Sequence, residues 1–274
     1  MDILNYTFFQ HALLGVVFVS LATAIIGTYV VARRMVFITG GITHASFGGL
    51  GLGFYAGWNP VVTAAVFAIA SALGVEMLTT REHVREDTAI GVVWALGMAL
   101  GTIFIFLTPG YVPELTTFLF GNILTITRVD LIAFAIFLVV LLVLFLLFYR
   151  PIVACAFDRD FASTHGIPVR AINLMMTVLT SVCIVLTIRL IGIMMLMSLL
   201  TVPQMIAELH VKRFVPMMVL SGIVSLVCSV AGLILSAMIS VPVSASIVLI
   251  LIIIYIINRS LESLIKYIHS KKTS

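Results

Sequence analysis

The chain predicts an all-α polytopic membrane protein of eight to nine transmembrane helices, and three observations carry that fold class. Only 9% of its 274 residues are charged and 62% are hydrophobic, where a soluble domain carries about a quarter charged residues. Mean hydropathy is +1.26. The apolar residues come in unbroken runs, each long enough to cross a hydrocarbon core of ~30 Å at ~1.5 Å per residue. A membrane β-barrel would alternate instead. The pI near 9.1 does not mark a nucleic-acid partner. The basic residues are spread through short loops, which suits orientation in a bilayer.

Nine apolar segments follow in order, at about 10–32, 35–57, 60–79, 88–107, 129–149, 171–189, 191–208, 214–238 and 243–258. They form one transmembrane domain over 1–274. Pro203 interrupts the segment after Gly192, so eight spans with one re-entrant piece is the alternative count. The N-terminal MDILNYTFFQ has an acid and no basic residue, and no cleavable leader is expected. With nine crossings and a cytoplasmic C-terminus, 13 of the 15 Lys and Arg fall inside. Arg128 and Arg189 alone fall outside, a bias that supports the alternation.

The second segment carries the most unusual chemistry. Met35 to Trp58 contains no Asp, Glu, Lys or Arg. It contains one imidazole, His44, some ~15 Å beyond the paired Arg33 and Arg34. Gly41, Ala45, Gly49 and Gly53 recur every four residues and leave one face nearly bare, so that another helix or a substrate can approach closely. An ionisable side chain at membrane depth is a pathway hypothesis. The alternative is a histidine that bonds a backbone carbonyl or a neighbouring Thr39 or Thr43. Neutral imidazole is a good ligand for zinc and other transition metals.

Two loops stand out. The outer one, 108–128, is apolar and predicts a short helix dipping into the outer membrane boundary or packing in the protein mouth; the alternative is an interfacial segment lying on lipid. The inner one, 150–170, contains DRDFASTHG, which reads as a short cytoplasmic helix over 158–166. Asp158 starts it and Gly166 ends it. It has nothing of its own to pack on, so it meets either headgroups or a cytosolic partner. Leu261, Leu264, Ile265 and Ile268 predict an amphipathic tail at 259–274 on the inner surface.

Other chemistry is thin. There is no phosphate loop, HExxH, GxSxG or CxxC pattern, and the acids gather at segment ends. No catalytic residue and no bound cofactor are expected, and the chain reads as a non-enzyme. Cys155, Cys183 and Cys228 read as small buried hydrophobes. Met194, Met195 and Met197, with Met175 and Met176, read as core filler before a copper(I) site.

Five stretches in order resemble one family. RRMVFITGGITHASFGGLGLGF, DTAIGVVWALGMALG, LFGNIL, FDRDFASTHGI and LIGIMMLMSLLTVPQMIA together are similar to the membrane permease of zinc, manganese and iron ABC importers, the ABC-3 family. The resemblance implies a homodimer forming the pore, in a bacterial cytoplasmic (inner) membrane. It implies a cytosolic ABC ATPase engaged by a coupling helix, through Asp158, Asp160, Phe161, His165 and Gly166. It implies an extracytoplasmic metal-binding protein that delivers the substrate, and His44 as the metal residue of the translocation path. Many members carry an Asp four residues before that histidine; here the position is Gly40.

The expected function is therefore the permease of an ATP-driven importer working by alternating access, with Zn2+ first as substrate, Mn2+ next and Fe2+ after it. The alternative is a stand-alone ion-coupled secondary transporter. That reading lacks ionisable groups deep in the spans other than His44.

Overall fold

A computed structural model describes residues 6–80, 82, 84–110, 121, 126–239 and 241–272. Eleven helices occupy the described residues: α1 (Thr7–Ala32), α2 (Val36–Ala56), α3 (Pro60–Thr80), α4 (Glu86–Leu107), α5 (Arg128–Leu147), α6 (Tyr149–Phe157), α7 (Arg159–Thr164), α8 (Val169–Leu199), α9 (Val202–His210), α10 (Phe214–Ile239) and α11 (Val243–Lys272). Among the described residues, seven stretches of helix are long and apolar enough to span a membrane. The nine sequence segments reduce to seven in two ways. Glycines and His44 dilute the apolarity of α2, which is not among the seven. The segments at 171–189 and 191–208 run on as one stretch, Val169–His210. Gly192 breaks the helical dihedrals inside it, with φ 79° and ψ 170°.

Burial separates centre from rim. In α1 and in the Val169–His210 stretch about 70% of the apolar window is buried (72% and 67%), against 22–33% in the other five. Helix α2 is also interior, with its glycines and Thr39, Thr43 and Ser46 buried. The outer helices turn large apolar side chains outward, among them Phe106, Val129, Leu146 and Met238. Water would not tolerate so wide an apolar surface, but hydrocarbon does. Small polar groups seam the interior instead. Ser225 of α10 donates to Ser20 of α1 at 3.1 Å. The buried amide of Gln204 in α9 donates to the Thr23 carbonyl at 2.8 Å.

The turn between α1 and α2 fixes where α2 begins. Met35 N–H bonds the Val30 carbonyl at 2.9 Å and Arg34 N–H bonds Val31 at 3.0 Å. That double bond closes a helix through a left-handed residue, and here the residue is Arg34 at φ 56°, at a cost of about 1–2 kcal/mol relative to an ordinary backbone. Arg33 ties the turn down. Its guanidinium donates to Asn173 of α8 at 2.7 Å, to Tyr29 at 3.2 Å and to the Cys155 carbonyl at 3.3 Å.

Two expectations change here. Residues 150–157 form a helix of their own, α6, which buries Ile152, Cys155 and Ala156. The interruption expected at Pro203 is present: the helix breaks at Leu200 and Thr201, and Pro203 sits in the first turn of α9, where a missing N–H costs nothing. The tail is not a separate element: α11 continues unbroken to Lys272. Nothing between Val243 and Lys272 stops it, because the segment has no Gly or Pro. Glu262 also supports it through Arg259 at 3.1 Å and Lys266 at 2.6 Å. The short helix expected within 108–128 falls largely on 111–120 and 122–125, outside the described residues. Of that loop, Gly121 is described, and a Cβ there would fall on the backbone of Ile191 and Gly192.

Candidate functional site

Helix α2 is clamped between α3 and α4, and its small residues make the clamp possible. Gly97 and Gly101, one turn apart on α4, lie against Ala45 and Phe47. A Cβ added at either would land on α2 backbone. Gly41 meets Ile90 of α4, while Gly49 and Gly53 meet Thr63, Phe67 and Pro60 of α3. Steps of four residues overshoot a full turn by about 40°. The stripe Gly41, Ala45, Gly49, Gly53 therefore winds from the α4 side to the α3 side, and each member seats a neighbouring helix.

His44 lies beside this stripe, half-buried. Its ring stacks on the indole of Trp94 in α4, with centroids 4.2 Å apart and planes 5° from parallel. Among the described residues, neither ring nitrogen has a hydrogen-bond partner. The hydroxyls expected to satisfy it turn elsewhere. Thr39 donates to the Val36 carbonyl at 2.7 Å, Thr43 to the Thr39 carbonyl at 2.6 Å and Ser46 to the Thr43 carbonyl at 2.7 Å. Thr39 and Thr43 are buried. Their protons go back into their own helix, so the imidazole keeps both nitrogens for something else.

Gly40, one turn before His44, is covered by Met197 of α8. The Met197 methyl lies 3.3 Å from where a Cβ of residue 40 would stand. Its sulfur lies 3.7 Å from the Thr43 hydroxyl. Met195 is buried and Met194 exposed. The three methionines thus have different surroundings, and Met197 sits at the level of Gly40 rather than toward the Arg189 end of the segment.

The second group of predicted residues lies apart from His44, at the end of the bundle that holds Arg33 and Arg34. Asp158 caps α7, its carboxylate accepting from Phe161 N–H at 2.9 Å. Gly166 closes the helix at φ 75°. Phe161 is exposed, and His165 packs on its ring at 4.0 Å between centroids. Asp160 is exposed and Ala162 is the buried residue of α7. A cavity of about 680 Å³ joins this end to α2. Asp158 and Arg159 line it on one side, Thr39 and Ile42 on another, and Glu76 and Asn173 complete it.

Chemically, the region offers one imidazole with unengaged nitrogens, an aromatic face and a thioether. Among the described residues no three His, Cys, Asp or Glu side chains gather as a metal cluster, and the three cysteines are free and buried. Such a set would touch a cation without trapping it. Trp94 escaped the sequence reading. The signal was its spacing: it stands three residues before Gly97, on the same face of a helix whose glycines seat α2.

Comparison with known proteins gives a consistent result. A family model described as ABC 3 transport family matches residues 5–261. An uncharacterised membrane protein of Synechocystis is 39% identical over 256 residues, covering 93% of this chain and 91% of that one. The manganese transport system membrane protein MntC of Halalkalibacterium halodurans is 31% identical over 250 residues, 91% and 85% of the two chains. Among solved structures, PsaBC from Streptococcus pneumoniae in complex with Fab superposes with a TM-score of 0.85 at 26% identity, over 94% and 92% of the chains.

Proposed function

The chain belongs to the ABC 3 transport family, and from that premise we propose that it is the permease subunit of an ATP-driven importer of divalent transition metal, with His44 on the path. The carrying observation is the His44 ring: half-buried in an interior helix without Asp, Glu, Lys or Arg, with both nitrogens unengaged among the described residues. An idle imidazole at that depth is costly unless it is used. The imidazole favours zinc; the relatives named for manganese transport support manganese; iron follows them.

In this reading Arg33, Arg34, α7 and the end of α11 face the cytoplasm. Two copies form the pore, an extracytoplasmic binding protein supplies the metal, and α7 docks on a separate ATPase. Motion of α7 deforms the cavity between Asp158 and Thr39 and so reaches α2, opening the His44 region to one side and then the other.

The test is uptake of zinc, manganese and iron in a host without its own importers, with the ATPase and binding protein co-expressed. Uptake of one of the three, lost in His44→Ala at normal expression, supports the reading. No uptake by a verified wild-type complex overturns it.

A further inference from the structure

We propose that Met197 is a ligand of the same site: a thioether set beside the His44 imidazole, which makes the site prefer borderline and soft dications, of the zinc and cadmium kind, over manganese. The inference rests on the reading that His44 lies on a metal path. Residues 40 and 44 lie one turn apart on one helix face, with about 5–6 Å between such positions. The Met197 methyl rests on Gly40, the position one turn before His44, and its sulfur lies 3.7 Å from the Thr43 hydroxyl. That sulfur accepts only a weak approach from Thr43. The Thr43 proton is drawn mainly to the Thr39 carbonyl at 2.6 Å, and a thioether has two lone pairs, so at least one stays available to a metal. Met197 is half-buried, as His44 is, so neither side chain is sealed from a passing ion.

The hard donors that manganese favours are scarce on this face. Thr39 and Thr43 are buried and back-bonded, and position 40 has no side chain. Carboxylate, carbonyl and water suit manganese, imidazole suits zinc, and thioether suits softer ions still. An imidazole with a thioether therefore ranks cadmium and zinc first. Cadmium is the sharper probe, because it has the charge of manganese and differs mainly in softness.

The experiment is equilibrium dialysis of the full permease–ATPase complex in detergent, with the binding protein left out so that its selectivity does not enter. Labelled manganese is displaced by unlabelled manganese or by cadmium. Wild type should release the label at lower cadmium than manganese. In Met197→Leu that advantage should fall about ten-fold, the scale on which metal sites respond to a changed neighbour. Met197→Gln, which puts an amide oxygen in place of sulfur, should shift the preference toward manganese. Met194→Leu, on the same helix, should keep the wild-type ratio. An unchanged ratio in both Met197 variants, with binding still lost in His44→Ala, overturns the thioether ligand and leaves the importer reading standing. No retention of either metal by wild type, or equal retention in His44→Ala, overturns both.

Discussion

The imidazole of His44 lies flat on the indole of Trp94, with ring centroids 4.2 Å apart. The stack fixes the plane of the ring without occupying either nitrogen, so Trp94 decides where those nitrogens point. Trp94→Ala should raise the half-saturating metal concentration for uptake about ten-fold, as loss of a group that orients a metal-binding histidine does. Trp94→Phe keeps a ring and should recover most of the loss. Unaltered uptake kinetics in Trp94→Ala would reduce the stack to packing.

His44→Ala separates function from assembly. The ring touches Trp94 and has no hydrogen bond among the described residues to lose. The variant should therefore express and co-purify with its ATPase as wild type does, while metal uptake falls to background. A variant that fails to assemble would make His44 a structural residue.

The seat of α2 on α4 gives a stability prediction. Gly97→Leu drives a side chain into the backbone of Ala45, where no flexible neighbour can yield. It should cost about 1–3 kcal/mol or more, read as a lower melting temperature in detergent. Gly74→Ala is the contrast. A Cβ there meets nothing within 4 Å, and removing a mid-helix glycine should stabilise by about 0.5–1 kcal/mol. Equal behaviour of the two would mean that α2 and α4 do not approach as described.

At α7, cap and charge can be told apart. Asp158 accepts from Phe161 N–H, and losing a cap costs about 1 kcal/mol. Asp158→Asn keeps the hydrogen bond and should retain most transport. Asp158→Arg loses the cap and reverses the charge. It should lower substrate-stimulated ATP hydrolysis while metal retention by the complex stays at the wild-type level. Loss of metal retention instead would place Asp158 on the path rather than at the ATPase.

Much of this was legible because bilayer physics leaves few choices. Long apolar runs had to become helices, and Asp158 with Gly166 had to bound a short one. What stayed hidden depends on neighbours. The stripe from Gly41 to Gly53 looked like one smooth face, but helical drift hands its members to two different helices. Trp94 and Met197 looked like ordinary apolar residues of their spans, and only the packing of α4 and α8 on α2 brings them to His44 and Gly40. The helix α6 was missed although Ile152, Cys155 and Ala156 carry the i, i+3, i+4 spacing; Pro151 falls in its first turn, where proline is tolerated.

The low apolarity of α2 has a consequence for biosynthesis. The helix that carries His44 is not among the seven long and apolar enough, by length and composition, to span a membrane, and its bare backbone is covered by α3 and α4, both made after it. A ribosome threading this chain into a membrane must therefore deliver α2 before the partners that shelter it exist. Its insertion has to be cooperative, held by α1 and the arginine turn on one side and completed when α3 and α4 arrive. Truncated chains ending near Trp58 should leave this segment incompletely inserted, and chains extended past Leu107 should secure it, as glycosylation-site mapping of staged translation products would show.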